Sequence, residues 1–137
     1  MSDSDTHYRL RRAKEFIDDC YNSQLTLDDM SREACLSPYH FLRLFRDAFE
    51  KTPHQYLTER RIKAAKELLR NRPMPVTDVC FEVGYESLGS FITLFRRHVG
   101  YSPKSYRRVF LITPPLAGVP TCFIQMFAGD PAQFFKT

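Results

Sequence analysis

LTLDDMSREACLSPYHFLRLFRDAFEKTPHQYL, residues 25–57, is written again in looser form as MPVTDVCFEVGYESLGSFITLFRRHVGYSPKSYR, residues 74–107. Phe41, Leu44, Phe45 and Arg46 return as Phe91, Leu94, Phe95 and Arg96, fifty positions on. Thr52-Pro53 followed by Tyr56 returns as Ser102-Pro103 followed by Tyr106 at the same offset. Upstream of one inserted residue the offset is forty-nine, pairing Leu27 with Val76, Asp29 with Asp78 and Glu33 with Glu82. Apolar positions at helical spacing that recur over such a period describe one small helical unit used twice. One chain then presents two similar surfaces.

Each copy begins with a short helix. Thr26 caps the first, with Asp29 at the third helical position able to bond back, and Leu27, Met30 and Ala34 facing inward. Ser37 caps the next, with Pro38 at the first turn, where its missing N–H is harmless. Its predicted buried stripe is Phe41, Leu44, Phe45 and Ala48. Thr52-Pro53 opens a long helix to about Asn71, with Tyr56, Leu57, Ile62, Ala65, Leu68 and Leu69 apolar, and Arg72-Pro73-Met74-Pro75 breaks it. The second copy places a short helix at Val76 to Val83, stopped by Gly84. A helix capped by Ser87 follows, burying Phe91, Leu94, Phe95 and either His98 or Val99. A last short helix starts at Ser102-Pro103 and ends near Arg108.

Outside the repeat, Met1 to His7 reads as a flexible polar leader. Leu10, Ala13, Phe16, Ile17 and Cys20 give Tyr8 to Tyr21 the pattern of an amphipathic helix, ended by Asn22 and Ser23. Residues 109–137 change character: proline, glycine and phenylalanine with almost no charge, too apolar for an ordinary disordered tail and too proline-rich for a helix. The expected fold is all-α, with seven helices. Its parts are a leader (1–7), a first subdomain (8–52), a linker helix (53–72), a second subdomain (73–108) and the apolar tail (109–137).

The formal charge of +4 conceals an uneven distribution. Residues 1–30 hold seven acids against four bases, whereas residues 31–108 hold fifteen bases against eight acids. The excess sits on the repeat, where a polyanion would be met, although on charge alone an ordinary solvated arginine-rich surface fits equally well. Cys20, Cys35, Cys80 and Cys122 form no CxxC pair, so neither a zinc site nor a disulfide framework is indicated. The first three read as small buried hydrophobes in a reducing compartment. No signal peptide or membrane-spanning run is visible, and a cytoplasmic, nucleoid-associated protein is expected.

Short helix, tight turn and second helix together make a helix-turn-helix, in which the second helix lies in the major groove of DNA. Gly84 supplies the turn in the second copy and Cys35-Leu36 replaces it in the first. The outward side of the first recognition helix carries Tyr39, His40, Leu42, Arg43 and Arg46. Arg43 is the candidate for a bidentate contact with guanine, and Tyr39 and Leu42 suit sugar or thymine methyl groups. The corresponding surface of the second copy is Ser87, Leu88, Gly89, Ser90, Ile92, Thr93 and Arg96, poor in strong hydrogen bonders and suited to reading shape and holding phosphate. Arg60, Arg61, Lys63 and Lys66, with Arg97, Lys104, Arg107 and Arg108, are candidates for phosphate contact or for plain solvated charge.

Residues 8–108 resemble the DNA-binding domain of the AraC/XylS family of bacterial transcription regulators. The resemblance rests on Arg61-Ile62-Lys63-Ala64-Ala65 through Leu68-Leu69, Val79 and Cys80, Val83-Gly84-Tyr85, then Phe91, Phe95 and Arg96, and Gly100-Tyr101-Ser102-Pro103 with Tyr106-Arg107. It implies two helix-turn-helix units joined by one helix, entering successive major grooves of double-stranded DNA about 34 Å apart. It also implies contact with RNA polymerase at a promoter, and activation more than repression. By position, DNA contacts fall to Tyr39, Leu42, Arg43 and Arg46, and to Ser87, Leu88, Ser90, Ile92, Thr93 and Arg96. Most members carry a sensor domain, usually N-terminal, whereas seven residues precede the first helix here, so the expectation is either a stand-alone regulator governed by its abundance or a separate sensor protein or dimer partner. The alternative is an interaction module that keeps the fold without specific DNA binding, suggested by Leu42, Leu88 and Ile92. An enzyme is not expected, because no nucleophile–base pair or metal-ligand spacing is visible, and no cofactor is implied.

Overall fold

A computed structural model describes residues 3–112, and the side chains of all but the last three of these. The described residues are all-helical, in seven helices: α1 (Asp3–Cys20), α2 (Leu27–Glu33), α3 (Pro38–Phe49), α4 (Pro53–Asn71), α5 (Val76–Glu82), α6 (Leu88–Val99) and α7 (Pro103–Ile112). The described residues divide into two compact units that part after residue 61, so α4 gives its first half to one and its second half to the other.

In the first unit α1, α2 and α3 pack on one another around Leu10, Ala13, Ile17, Met30, Ala34, Phe41, Phe45 and Leu57. Each fully buried phenylalanine contributes about 1.5–3 kcal/mol through the apolar area it takes from water. Phe41 and Phe45 meet at 5.5 Å, and Phe45 meets Phe49 edge-on at 4.6 Å. Phe49, not Ala48, completes the inward stripe of α3; Ala48 is exposed. Both positions fit the helical period, and the larger ring takes the core. In the second unit Val79, Cys80, Val83, Phe91, Phe95, Val99 and Tyr106 are buried. Phe91 meets Phe95 at 5.8 Å, and Phe95 meets Tyr106 edge-on at 5.5 Å. Val99 is the buried member of the His98–Val99 pair, matching Phe49 in the first copy.

Helix starts follow the expected chemistry. Thr26 Oγ1 accepts from the Asp29 N–H at 3.1 Å while Asp29 Oδ2 accepts from the Thr26 N–H at 3.0 Å, a reciprocal capping box. That amide, the Thr26 hydroxyl and the nearby Arg32 charge hold the Asp29 carboxyl below its ordinary range. Thr52 and Gln55 make the same exchange before α4, at 3.1 and 2.8 Å. Ser37, Ser87 and Ser102 each accept from the N–H three residues on.

Two further readings are corrected. The leader does not run free to His7: α1 begins at Asp3, where Asp3 and Asp5 complement the positive end of the helix dipole. Asp5 also pairs with Arg9 one turn on, at 3.1 Å. Cys35 is not a buried hydrophobe but an exposed turn residue; Cys20 is half-buried and Cys80 buried. Met1, Ser2, Cys122 and nearly all of the apolar tail lie outside the described residues. Among the described residues, no helix is long and apolar enough to cross a membrane.

Candidate nucleic-acid interface

The turn between the two helices of each unit carries the same pair of backbone hydrogen bonds. After α2, the Cys35 N–H donates to Arg32 O at 3.0 Å and the Leu36 N–H to Ser31 O at 3.1 Å. After α5, the Gly84 N–H donates to Phe81 O at 3.1 Å and the Tyr85 N–H to Cys80 O at 3.0 Å. This paired closure is a Schellman motif, which needs a left-handed residue at its bend. Cys35 (φ 56°) and Gly84 (φ 102°) occupy that seat. The ends of α3 and α6 match as well, with Glu50 (φ 61°) and Gly100 (φ 92°) left-handed at the cap.

These turns set α3 and α6 with their phenylalanines inward, and the other faces follow. On α3, Tyr39 is 75% exposed, and His40, Arg43 and Arg46 are also exposed. Tyr39, Arg43 and Arg46 stand at i, i+4 and i+7 and so share one stripe. Leu42 is half-buried, less open than a surface leucine would be. On α6, Ser87, Leu88, Gly89, Ser90, Thr93, Arg96 and Arg97 are exposed and Ile92 is half-buried. Among the described residues, Arg43, Arg46, Arg96 and Arg97 form no ion pair with a carboxylate, so their charge is available to an incoming anion. The α6 helix contains no acid, and Arg96, Arg97 and His98 fill its last turn.

The basic residues beside the repeat separate into two groups. Arg61 Nε donates to Tyr21 O at 2.7 Å and its Nη2 to Ser23 O at 2.8 Å, holding the loop after α1. Arg107 Nε donates to Leu69 O at 3.1 Å, and its Nη2 to Arg72 O at 3.4 Å and to Met74 O, holding the loop after α4. Both guanidiniums are thereby committed to backbone carbonyls where the chain leaves a helix. Arg60 lies over the Tyr21 ring at 4.2 Å and faces Asp18 at 3.7 Å. Lys66 is half-buried, and desolvation followed by the Arg70 charge lowers its pKa. Lys63, Lys104 and Arg108 remain exposed. Phe81, 54% exposed on α5, is an outward aromatic to which the sequence reading assigned nothing.

Comparison with known proteins agrees with this geometry. Residues 30–109 match the family described as a helix-turn-helix domain. The regulatory protein SoxS of Salmonella typhimurium is 30% identical over 93 residues, covering 68% of this chain and 87% of SoxS. An uncharacterised HTH-type transcriptional regulator of Escherichia coli, YdiP, is 33% identical over 95 residues, covering 69% of this chain but 31% of YdiP. The chain thus spans about a third of the longer relatives it matches. Among solved structures, the DNA-binding domain of the global transcriptional factor AdpA, determined in complex with a target DNA, superposes with a TM-score of 0.75 at 26% identity. That match covers 78% of this chain and 96% of the AdpA domain. The C-terminal domain of the response regulator AraT from Geobacillus stearothermophilus gives 0.73 at 27% identity, over 83% of this chain and 95% of that domain. With its doubled helix-turn-helix, its outward arginines and these relatives, the chain belongs to the AraC family of DNA-binding transcription regulators.

Proposed function

We propose that this chain binds double-stranded DNA sequence-specifically, inserting α3 and α6 into successive major grooves, and activates transcription there. Arg43 reads guanine through its paired N–H groups, with Tyr39, His40 and Leu42 beside it and Arg46 toward the backbone. Ser87, Leu88, Ser90, Ile92 and Thr93 form the shallower second contact, and Arg96 and Arg97 meet phosphate. The observation that carries this reading is the outer stripe of α3, where Arg43 and Arg46 stand exposed with no carboxylate partner among the described residues. Contact with RNA polymerase, a sensor or dimer partner, a cytoplasmic place beside the nucleoid, and the absence of catalysis belong to the same proposal, supported by the family resemblance.

The test is binding to mixed genomic DNA across a salt series, followed by sequencing of the retained fragments. Affinity that falls steeply with salt, with one motif enriched, supports the reading, because phosphate contacts release counterions. A flat response, or retention without enrichment, overturns it in favour of an interaction module.

A further inference from the structure

Gly89 sits in the first turn of α6, where glycine is a poor helix former, since it gives up more backbone freedom than any other residue on folding. Glycine in such a place has three ordinary causes within a protein. One is a left-handed backbone, but Gly84 and Gly100 are the described glycines with positive φ, and Gly89 is not. Another is crowding by a neighbouring element. Among the described residues, a Cβ built at Gly89 would meet only Ser87 Oγ, at 3.9 Å, an ordinary contact within its own helix turn. The third is a helix end that must terminate, whereas α6 continues for ten residues beyond Gly89 to Val99.

The described residues therefore give no packing or backbone reason for the missing side chain. Its equivalent in the first copy is Tyr39, 75% exposed, so the two copies differ most sharply in bulk at this point. Leu88 before it and Ser90 after it are exposed as well, which leaves a bare strip of backbone open at the outward start of α6.

We infer that Gly89 is a specificity-determining residue whose bare Cα lets the first turn of α6 seat closely in the DNA groove. This rests on the DNA-binding reading above. Where the first copy projects a ring and an arginine fork toward the base edges, the second copy brings the helix itself nearer. At that range Ser90, Thr93 and the half-buried Ile92 are within reach of base edges and methyl groups, which their short side chains would otherwise not touch. The complex then selects for groove width and methyl placement more than for hydrogen bonding.

The experiment uses the whole chain and a duplex enriched by it from a random-sequence pool, with a mixed-sequence duplex as reference. Gly89→Ala and Gly89→Leu are compared with the parent for melting temperature and for affinity to both duplexes. Expected is a melting temperature unchanged or a few degrees higher. Affinity for the enriched duplex falls about tenfold for alanine and further for leucine, with mixed-sequence affinity nearly constant. Variants that bind the enriched duplex as tightly as the parent, or lose affinity equally for both duplexes, overturn the inference and leave DNA binding intact. Failure of the parent chain to enrich any duplex removes the DNA-binding reading and this inference together.

Discussion

Arg61 Nε reaches back across forty residues to donate to the Tyr21 carbonyl at 2.7 Å. With the second bond to Ser23 O, the guanidinium holds the loop that follows α1. Charge-assisted hydrogen bonds of this kind contribute about 1.5–3 kcal/mol when half-buried. Arg61→Ala is expected to lower unfolding free energy by that amount in a denaturant titration. Because no phosphate contact is lost, the salt slope of DNA binding stays that of the parent, whereas loss of a phosphate clamp lowers the slope by about one. A reduced slope with unchanged stability contradicts the assignment.

Cys35 holds a left-handed conformation that costs a side-chain-bearing residue about 1–2 kcal/mol. The second copy uses Gly84 in the same seat. Cys35→Gly is therefore expected to gain about 1 kcal/mol, net of the extra freedom glycine has when unfolded. Thermal melting under reducing conditions measures this, and destabilisation counts against the reading.

Tyr56 donates to Asp18 Oδ1 at 2.6 Å. Desolvation, then this hydrogen bond and the Asp18 charge, raise the phenol pKa well above its ordinary 10.0. Burial pushes the buried Tyr106 phenol up to about 12. A raised folded-state pKa means that the fold favours the protonated form. The stabilisation is full below pH 10 and is lost as pH climbs through the folded values. Unfolding free energy should thus fall between about pH 10 and 12, and Tyr56→Phe should make that fall shallower. An equally steep fall in the variant excludes Tyr56 as a source.

Arg43→Ala is expected to cost about 1–3 kcal/mol at an enriched site and to relax preference at one base pair. Competition binding with single-base variants of the site reads both effects. Equal weakening on unrelated duplexes reassigns Arg43 to phosphate.

Local chemistry was the legible part of this fold. Thr26 with Asp29, Ser37 with Pro38, and Thr52 with Pro53 announce helix starts because capping is settled within four residues. The phenylalanine stripe was equally plain, and with it the exposed side bearing Tyr39, His40, Arg43 and Arg46. Periodicity alone could not choose Phe49 over Ala48, since both lie near the stripe and volume decides. Nor could it separate Arg61 and Arg107 from Lys63 and Lys104: a guanidinium's partners here are backbone carbonyls more than thirty residues away. Cys35 was placed at the turn, but its exposure was missed, because glycine is the usual sign of a left-handed bend and cysteine is more often a small buried residue. The early start of α1 was hidden by polar composition, which serves a helix end as readily as a frayed one.

The same pair of main-chain hydrogen bonds fastens the bend after α2 and the bend after α5. Tyr39 and Gly89, or Arg43 and Thr93, can consequently diverge without disturbing either framework. On the proposed DNA-binding reading, a protein constructed like this can be retargeted one half-site at a time, keeping its grip through one module while the other acquires a new address.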